Sequence, residues 1–327
     1  MGKKSTRILT GIQSTGTPHL GNIMGAIIPA IQMSQTKNSE SYLFIADLHS
    51  LTQIKDQKAL SHNTYATAAA WLAFGLDHKK TVFYRQSDIP QVTELAWYLS
   101  CYFPYQRLTL AHSFKDKQNR LQDVNSGLFN YPMLMAADIL LYDANIVPVG
   151  KDQLQHLEIT RNVANRFHNI NGETFIVPQA DLNNENMSIP GTDGQKMSKS
   201  KNNIIDVFLD EKKLKKQIQG IKTDSAPIED PKDWGKCNLF DIYKLIASKP
   251  EIDDLKSKYE KGGYGYGQAK EELFALILNH FSKERQEFNH YLNNLDEIDK
   301  ILEAGATKAK ETANTVLKRV RKKLGYN

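Results

Sequence analysis

The chain has 327 residues, 40% hydrophobic and 24% charged, with a net charge of +5. This is enough for one large domain and a smaller companion, in the composition range of ordinary globular proteins rather than disordered or fibrous ones. Only two cysteines occur, Cys101 and Cys237, in no ligand spacing, so no cysteine-ligated zinc or cluster is expected and a reducing, cytoplasmic compartment fits. No apolar run approaches 18 residues, and MGKKSTR at the start carries no apolar stretch behind its charges, so neither a membrane span nor a secretory signal is expected.

In chain order, Arg7 to Ile12 is a β-rich apolar run that predicts a first strand, and residues 13–18 supply turn residues. His19-Leu20-Gly21-Asn22 then opens a helical pattern. Ser41 to Ala46 predicts a second strand, Asn63 to Phe74 a helix stopped by Gly75, and Thr81 to Arg85 a third strand. Val92 to Tyr102 is helical between Pro90 and Pro104. Phe114 to Asn125 is polar and reads as a mobile loop. Tyr131 to Tyr142 is an apolar helix with one acid inside it, Asp138. Ile146 to Val149 predicts a fourth strand closed by Gly150, Leu154 to Phe167 an amphipathic helix, and Thr174 to Val177 a fifth strand.

Strands alternating with helices at this spacing predict βαβ units and a parallel sheet, whose ligands sit beyond the carboxyl ends of the strands. After Ser200 the strand signals fade. Charged helical segments follow at residues 210–221, 238–247, 252–259, 268–290 and 296–324. The shift near residues 200–210 sets an expected boundary between an α/β domain, 1–205, and a helical one, 206–327. The last helix places Ala313, Val316, Leu317, Val320 and Leu324 on one face, so it should pack, basic residues outward. From Ile301 onward seven Lys/Arg stand against two Glu. Such an end suits nucleic-acid phosphate, or is simply a solvated helix face.

Two stretches carry phosphate chemistry. A helix N-terminus offers unpaired N–H groups and a positive dipole end, Gly21 permits close approach, and His19 and Asn22 can both donate to phosphate oxygens. A helix start that happens to contain a histidine would read the same. Gly191-Thr192-Asp193-Gly194-Gln195-Lys196-Met197-Ser198-Lys199-Ser200 is a glycine-hinged loop with two lysines three apart. That pair suits a leaving pyrophosphate, with Ser198 and Ser200 as hydroxyl donors. The bland alternative is an exposed basic linker. Asp138, in LMAADILL, is expensive to bury unless satisfied. Indole has a single N–H and no other polar atom, so one carboxylate in an apolar slot matches it. Tyr131 and Met135 share its helix face, and Val147 and Val149 can add walls. An acid at a helix cap or polar rim is the other reading.

Residues 9–27 (LTGIQSTGTPHLGNIMGAI) resemble the first signature of the class I aminoacyl-tRNA synthetases, and KMSKS at 196–200 the second. More narrowly, the chain is similar to the bacterial tryptophanyl-tRNA synthetases. GIQ at 11–13, ADLHSLT at 46–52, QSDIP at 86–90, YPMLMAADILLY at 131–142, VPVGKDQLQHLEITR at 147–161 and TDS at 223–225 carry the resemblance along essentially the whole chain.

The resemblance implies a Rossmann-like doubly wound parallel sheet with a C-terminal α-helical domain. It implies a catalytic set of His19, Asn22, Lys196 and Lys199. For ATP it implies Gln13, Ser14, Thr15, Gly21, Lys115, Gly150, Lys151, Asp152, Ile189, Met197, Ser198 and Ser200 as well. For tryptophan it implies Asp138 as indole acceptor, with Tyr131, Met135, His49, Gln153, Gly11, Val147 and Val149. Ser14 replaces a frequent proline and Leu9 a frequent aromatic. The implied reaction joins L-tryptophan and ATP into an adenylate with Mg²⁺ on the phosphates, then charges tRNA(Trp). A homodimer is implied, with no membrane or DNA partner. Two rivals stay open: a nucleotidyltransferase of the same fold, and a synthetase-like binder of tryptophan or RNA that does not charge tRNA.

Overall fold

The computed structural model describes residues 5–36, 38–110, 125–150, 153–181 and 189–326. Five parallel strands form one sheet: β1 (Thr6–Ile12), β2 (Ser39–Ile45), β3 (Val82–Arg85), β4 (Ile146–Pro148) and β5 (Gln179–Asp181), in the order β3-β2-β1-β4-β5. β1 pairs with β2 from Thr6↔Ser39 to Ile12↔Ile45 and with β4 at Ile8↔Ile146. The strand order therefore reverses between β1 and β4, and a crevice opens beyond their carboxyl ends.

The helices alternate with the strands. After β1 come α1 (Leu20–Asn22), a π-helical segment Ile23–Ile27 and α2 (Ile28–Ser34). α3 (Asp47–Ser50) and α4 (Gln57–Ala73) follow β2. α5 (Gln91–Tyr102), α6 (Tyr105–Leu108) and α7 (Ser126–Leu140) lie between β3 and β4, and α8 (Leu154–Asn171) between β4 and β5. Local chemistry sets the boundaries. α4 starts earlier than the apolar pattern indicates because the Asp56 carboxylate accepts the Ala59 N–H at 2.7 Å. Asn125 caps α7 in the same way, and Gly172 closes α8 at φ +80°.

Two expectations are corrected. Thr174–Val177 is not a strand. Phe175 turns inward onto Phe167 and His168, and its N–H donates to His168 Nε2 at 2.9 Å. The fifth strand forms at Gln179–Asp181 instead. Residues 268–290 are not one helix but α12 (Tyr266–His280) and α13 (Ser282–Asn293), broken at Phe281, whose buried ring packs edge-on against Phe74. Before them lie α9 (Glu211–Gln219), α10 (Asn238–Tyr243) and α11 (Lys249–Lys261).

The final helix α14 (Leu295–Leu324) has 30 residues, about 45 Å at 1.5 Å per residue. It runs along the edge strand β3. Ile298 and Leu302 join the apolar core on one sheet face, while Ala306, Ala309, Ala313 and Val316 join the core on the other. The crossing point is Gly305, where an added Cβ would fall 1.7 Å from the Phe83 carbonyl oxygen. A mid-helix glycine costs about 1 kcal/mol of propensity, and here contact with a strand backbone requires it. The helix buries Ala313, Val316, Leu317 and Val320, with Leu324 half-buried. Two of its cations are held by acids of the sheet-bearing part: Arg319 by Asp143 and Arg321 by Glu94. Lys308, Lys318, Lys322 and Lys323 are exposed.

Candidate active site

A cavity of about 1080 Å³ opens where β1 and β4 end. Its lining gathers Gly11, Gln13, Thr15, His19, Gly21, Asn22, His49, Tyr131, Met135, Asp138, Val147, Val149, Gly150, Gln153, Ile189 and residues 196–200. Expected phosphate residues and expected ring-binding residues thus share one space. Lys115, Lys151 and Asp152 lie outside the described residues. Ser14 does not line the cavity: its side chain is fully buried, sharing hydrogen bonds with Ser50 and Thr64. A small hydroxyl there satisfies two neighbouring hydroxyls, which a proline could not do.

At the helix start, His19 is the N-cap of α1. Its Nδ1 accepts the Asn22 N–H at 3.3 Å, and Asn22 Oδ1 accepts the His19 N–H at 3.2 Å. With Nδ1 accepting, the ring proton belongs on Nε2, and the Asn22 amide keeps its NH₂ as a donor. Burial, reinforced by the Lys199 charge, lowers the His19 pKa to about 4. The imidazole is therefore neutral at pH 7 and acts as a hydrogen-bond donor, not a cation.

The lysine loop is in direct contact with this turn. Gly21 N–H points at Met197 Sδ at 3.2 Å, and the Lys199 ammonium would come within 3.0 Å of a Cβ on Gly16, which stands at φ +136°. Burial lowers the Lys199 pKa to about 8, partly countered by Asp206. Lys196 is exposed at the rim.

The loop is braced more than hinged. Buried Asn203 accepts the Ser198 N–H at 2.7 Å and donates to Asp193 and to the Lys196 carbonyl. Gly191 is needed because Asn203 would stand 2.4 Å from a Cβ there. Gly194, at φ +82°, does make the turn.

The deep part of the cavity is different in kind. Asp138 is 3% exposed, and its carboxylate is already held. His49 Nε2–H donates to Oδ2 at 2.9 Å, and Gln86 Nε2 donates to Oδ1 and Oδ2 at 2.8 and 2.9 Å. Burial pushes the Asp138 pKa up, and both donors oppose it. His49 also meets the Tyr131 ring edge-on, with centroids 5.3 Å apart. The aromatic wall that Leu9 does not supply comes from Phe44, whose ring covers Gly11. A Cβ at Gly11 would lie 2.4 Å from it.

Sequence reasoning missed Gln86, Phe44 and Asn203. Only Gln86 left a trace, as a polar side chain directly after a buried strand.

A family of class I tRNA synthetases (W and Y) matches residues 1–282. A tryptophan–tRNA ligase of Campylobacter jejuni is 45% identical over 319 residues, covering 98% of this chain and 99% of the relative. One from Rhodopirellula baltica is 44% identical over the same coverage. The crystal structure of tryptophanyl-tRNA synthetase from Campylobacter jejuni complexed with ADP and tryptophan superposes with a TM-score of 0.93, at 45% identity over 98% of this chain and all of that one. The enzyme from Mycoplasma pneumoniae follows at 28% identity and a TM-score of 0.79, covering 99% of this chain and 98% of that one. By sequence along nearly its full length and by fold, the chain belongs to the class I tRNA synthetases for tryptophan and tyrosine, among the bacterial tryptophan–tRNA ligases.

Proposed function

We propose that this chain is a tryptophan–tRNA ligase working through the residues gathered in the cavity. It activates L-tryptophan with ATP to tryptophanyl-adenylate and pyrophosphate, then transfers tryptophan to the 3′ end of tRNA(Trp). The observation that carries the residue assignments is the shared cavity: the buried Asp138 carboxylate lies in the same space as the His19 turn and the lysine loop.

The chemistry needs no covalent nucleophile. The tryptophan carboxylate attacks the α-phosphorus, and a ribose hydroxyl of the terminal adenosine then attacks the activated carbonyl. The protein contributes position and charge. Asp138 accepts the indole N–H, between Tyr131, Met135, Val147, Val149 and Phe44. His19 Nε2–H and the Asn22 amide donate to the triphosphate from one side, and Lys196 and Lys199 hold the departing pyrophosphate from the other. Gln13, Thr15, Gly150 and Ile189 complete the nucleotide's surroundings, and Gln153 the amino acid's. Among the described residues no three acids, histidines or cysteines group as a metal cage. Mg²⁺ bound together with ATP would offset the charge of the phosphates, as the family resemblance implies.

The same proposal divides the chain into a catalytic part, 1–205, and a helical part, 206–327, that contacts tRNA phosphates, with the exposed lysines of α14 contributing. It includes a homodimer, supported by the exposed Trp97 and Leu51 on a groove of about 580 Å³ with Leu48, Ala96, Met133 and Leu134. It also includes cytoplasmic residence, supported by both cysteines standing free.

One assay tests the function. ATP–pyrophosphate exchange should depend on tryptophan and not on tyrosine, and tRNA charging should follow. Exchange without an amino acid would favour a nucleotidyltransferase. Tryptophan binding with neither exchange nor charging would favour a non-catalytic binder.

A further inference from the structure

Gln86 does not line the cavity, yet it holds the residue on which substrate choice rests. It is 1% exposed and lies behind Asp138. Its Oε1 accepts the backbone N–H of His49 at 3.4 Å, which orients the amide so that Nε2 faces the carboxylate. That nitrogen spans both carboxylate oxygens, at 2.8 and 2.9 Å, while His49 Nε2–H adds a second donor to Oδ2 only. Oδ2 thus receives two protein donors and Oδ1 receives one. A carboxylate oxygen accepts about two hydrogen bonds, so one acceptor position remains, on Oδ1.

We propose that Gln86 is a positioning residue for substrate choice: it fixes the plane of the Asp138 carboxylate and leaves Oδ1 with a single vacancy, which an aromatic ring bearing one N–H fills. The proposal rests on Asp138 being the indole acceptor. Burial raises the Asp138 pKa, and His49 first and Gln86 after it oppose that rise and so favour the carboxylate. Burial alone favours the neutral acid, which would present an O–H donor to the ring and lose its preference for N–H. A ring that cannot donate then leaves a buried acceptor unpaired, the strongest basis for rejecting an isostere. Gln86 therefore makes the site an obligate acceptor without touching the substrate.

The experiment compares tryptophan with the analogue carrying sulfur in place of the indole N–H, by kcat/KM in ATP–pyrophosphate exchange. Gln86→Leu and Gln86→Met both remove the donor, the second keeping the unbranched length of the side chain. In both, the preference for tryptophan over the sulfur analogue should fall about tenfold or more. The KM for tryptophan should carry most of the loss, with kcat at saturation within about threefold. If Gln86→Leu does not fold, Gln86→Met decides alone. An unchanged preference, or equal losses against both substrates, would reduce Gln86 to packing and overturn the proposal. Asp138→Ala is run alongside. If it keeps the preference, the indole-acceptor reading itself fails; if it loses the preference while the Gln86 variants keep it, only the proposal about Gln86 fails.

Discussion

The two parts of the cavity are built on opposite plans. Around Asp138 a charge is buried and supplied with protein donors in advance, so little remains to reorganise when a ring arrives. Around Lys199 a cation is half-buried beside a neutral imidazole, with no carboxylate within 4 Å among the described residues. On the proposed assignments, one region selects by having a single vacancy. The other waits for a large negative charge, and binding of that charge restores what burial took from the ammonium. On the same assignments, amino-acid choice is a matter of satisfied geometry, and phosphate handling a matter of deferred neutralisation.

The largest break in this contrast is expected at its dry end. Asp138→Ala should lower tryptophan-dependent exchange, as kcat/KM, by roughly 100-fold, about 2.7 kcal/mol at 1.36 kcal/mol per decade, while ATP affinity measured without tryptophan stays within about twofold. Exchange near the starting rate would remove Asp138 from substrate recognition. Next comes the wet end. Replacing Lys196 and Lys199 together by Ala should slow adenylate formation in single-turnover measurements more than about tenfold, or 1.4 kcal/mol. Tryptophan binding without ATP should stay near normal, and a smaller rate loss would end the idea of a leaving-group clamp.

Gly11→Ala sharpens the comparison from the side of shape. The new methyl must displace the Phe44 ring, so the tryptophan KM should rise about three- to tenfold with the ATP KM unchanged. If the two KM values rise together, Gly11 shapes the strand end rather than the ring slot.

The smallest effect is a pH dependence. In the free protein Lys199 is charged below its pKa of about 8 and neutral above it. ATP binding, followed by calorimetry without tryptophan, should therefore weaken a few-fold as pH rises from 7 to 9. Lys199→Arg should flatten that profile, because a guanidinium stays charged throughout. A wild-type profile that is already flat would show that Lys199 is not the group titrating.

Much of this was legible because it depends on residue chemistry that few positions can supply. A histidine and an asparagine at a helix start, two lysines on a glycine-flanked loop and an acid inside an apolar helix each stand out from their surroundings. The parallel sheet followed from alternation alone. What stayed hidden depends on proximity between segments far apart in sequence. Gln86 meets Asp138 across 52 positions, and nothing local to QSDIP points to that partner. Gly11 looked like a ligand-facing glycine, and the ring that requires it belongs to the neighbouring strand. Ser14 enters only through the resemblance, and nothing local shows that its hydroxyl is held by residues from α3 and α4. The misplaced fifth strand has the same origin: Phe175 is apolar because it packs on α8, not because it pairs in the sheet.

Gly305 has a consequence for how the molecule is made. One edge of the sheet is at β3, near residue 83, and the segment that covers it, Leu295–Leu324, is synthesised long after the strand itself. A nascent chain carries an unprotected strand edge until α14 emerges, and a chain truncated before it would expose a template for pairing with its neighbours. Synthesis of α14 and protection of the β3 edge are thus one event, and copies that end before α14 should be lost to aggregation or proteolysis rather than accumulate.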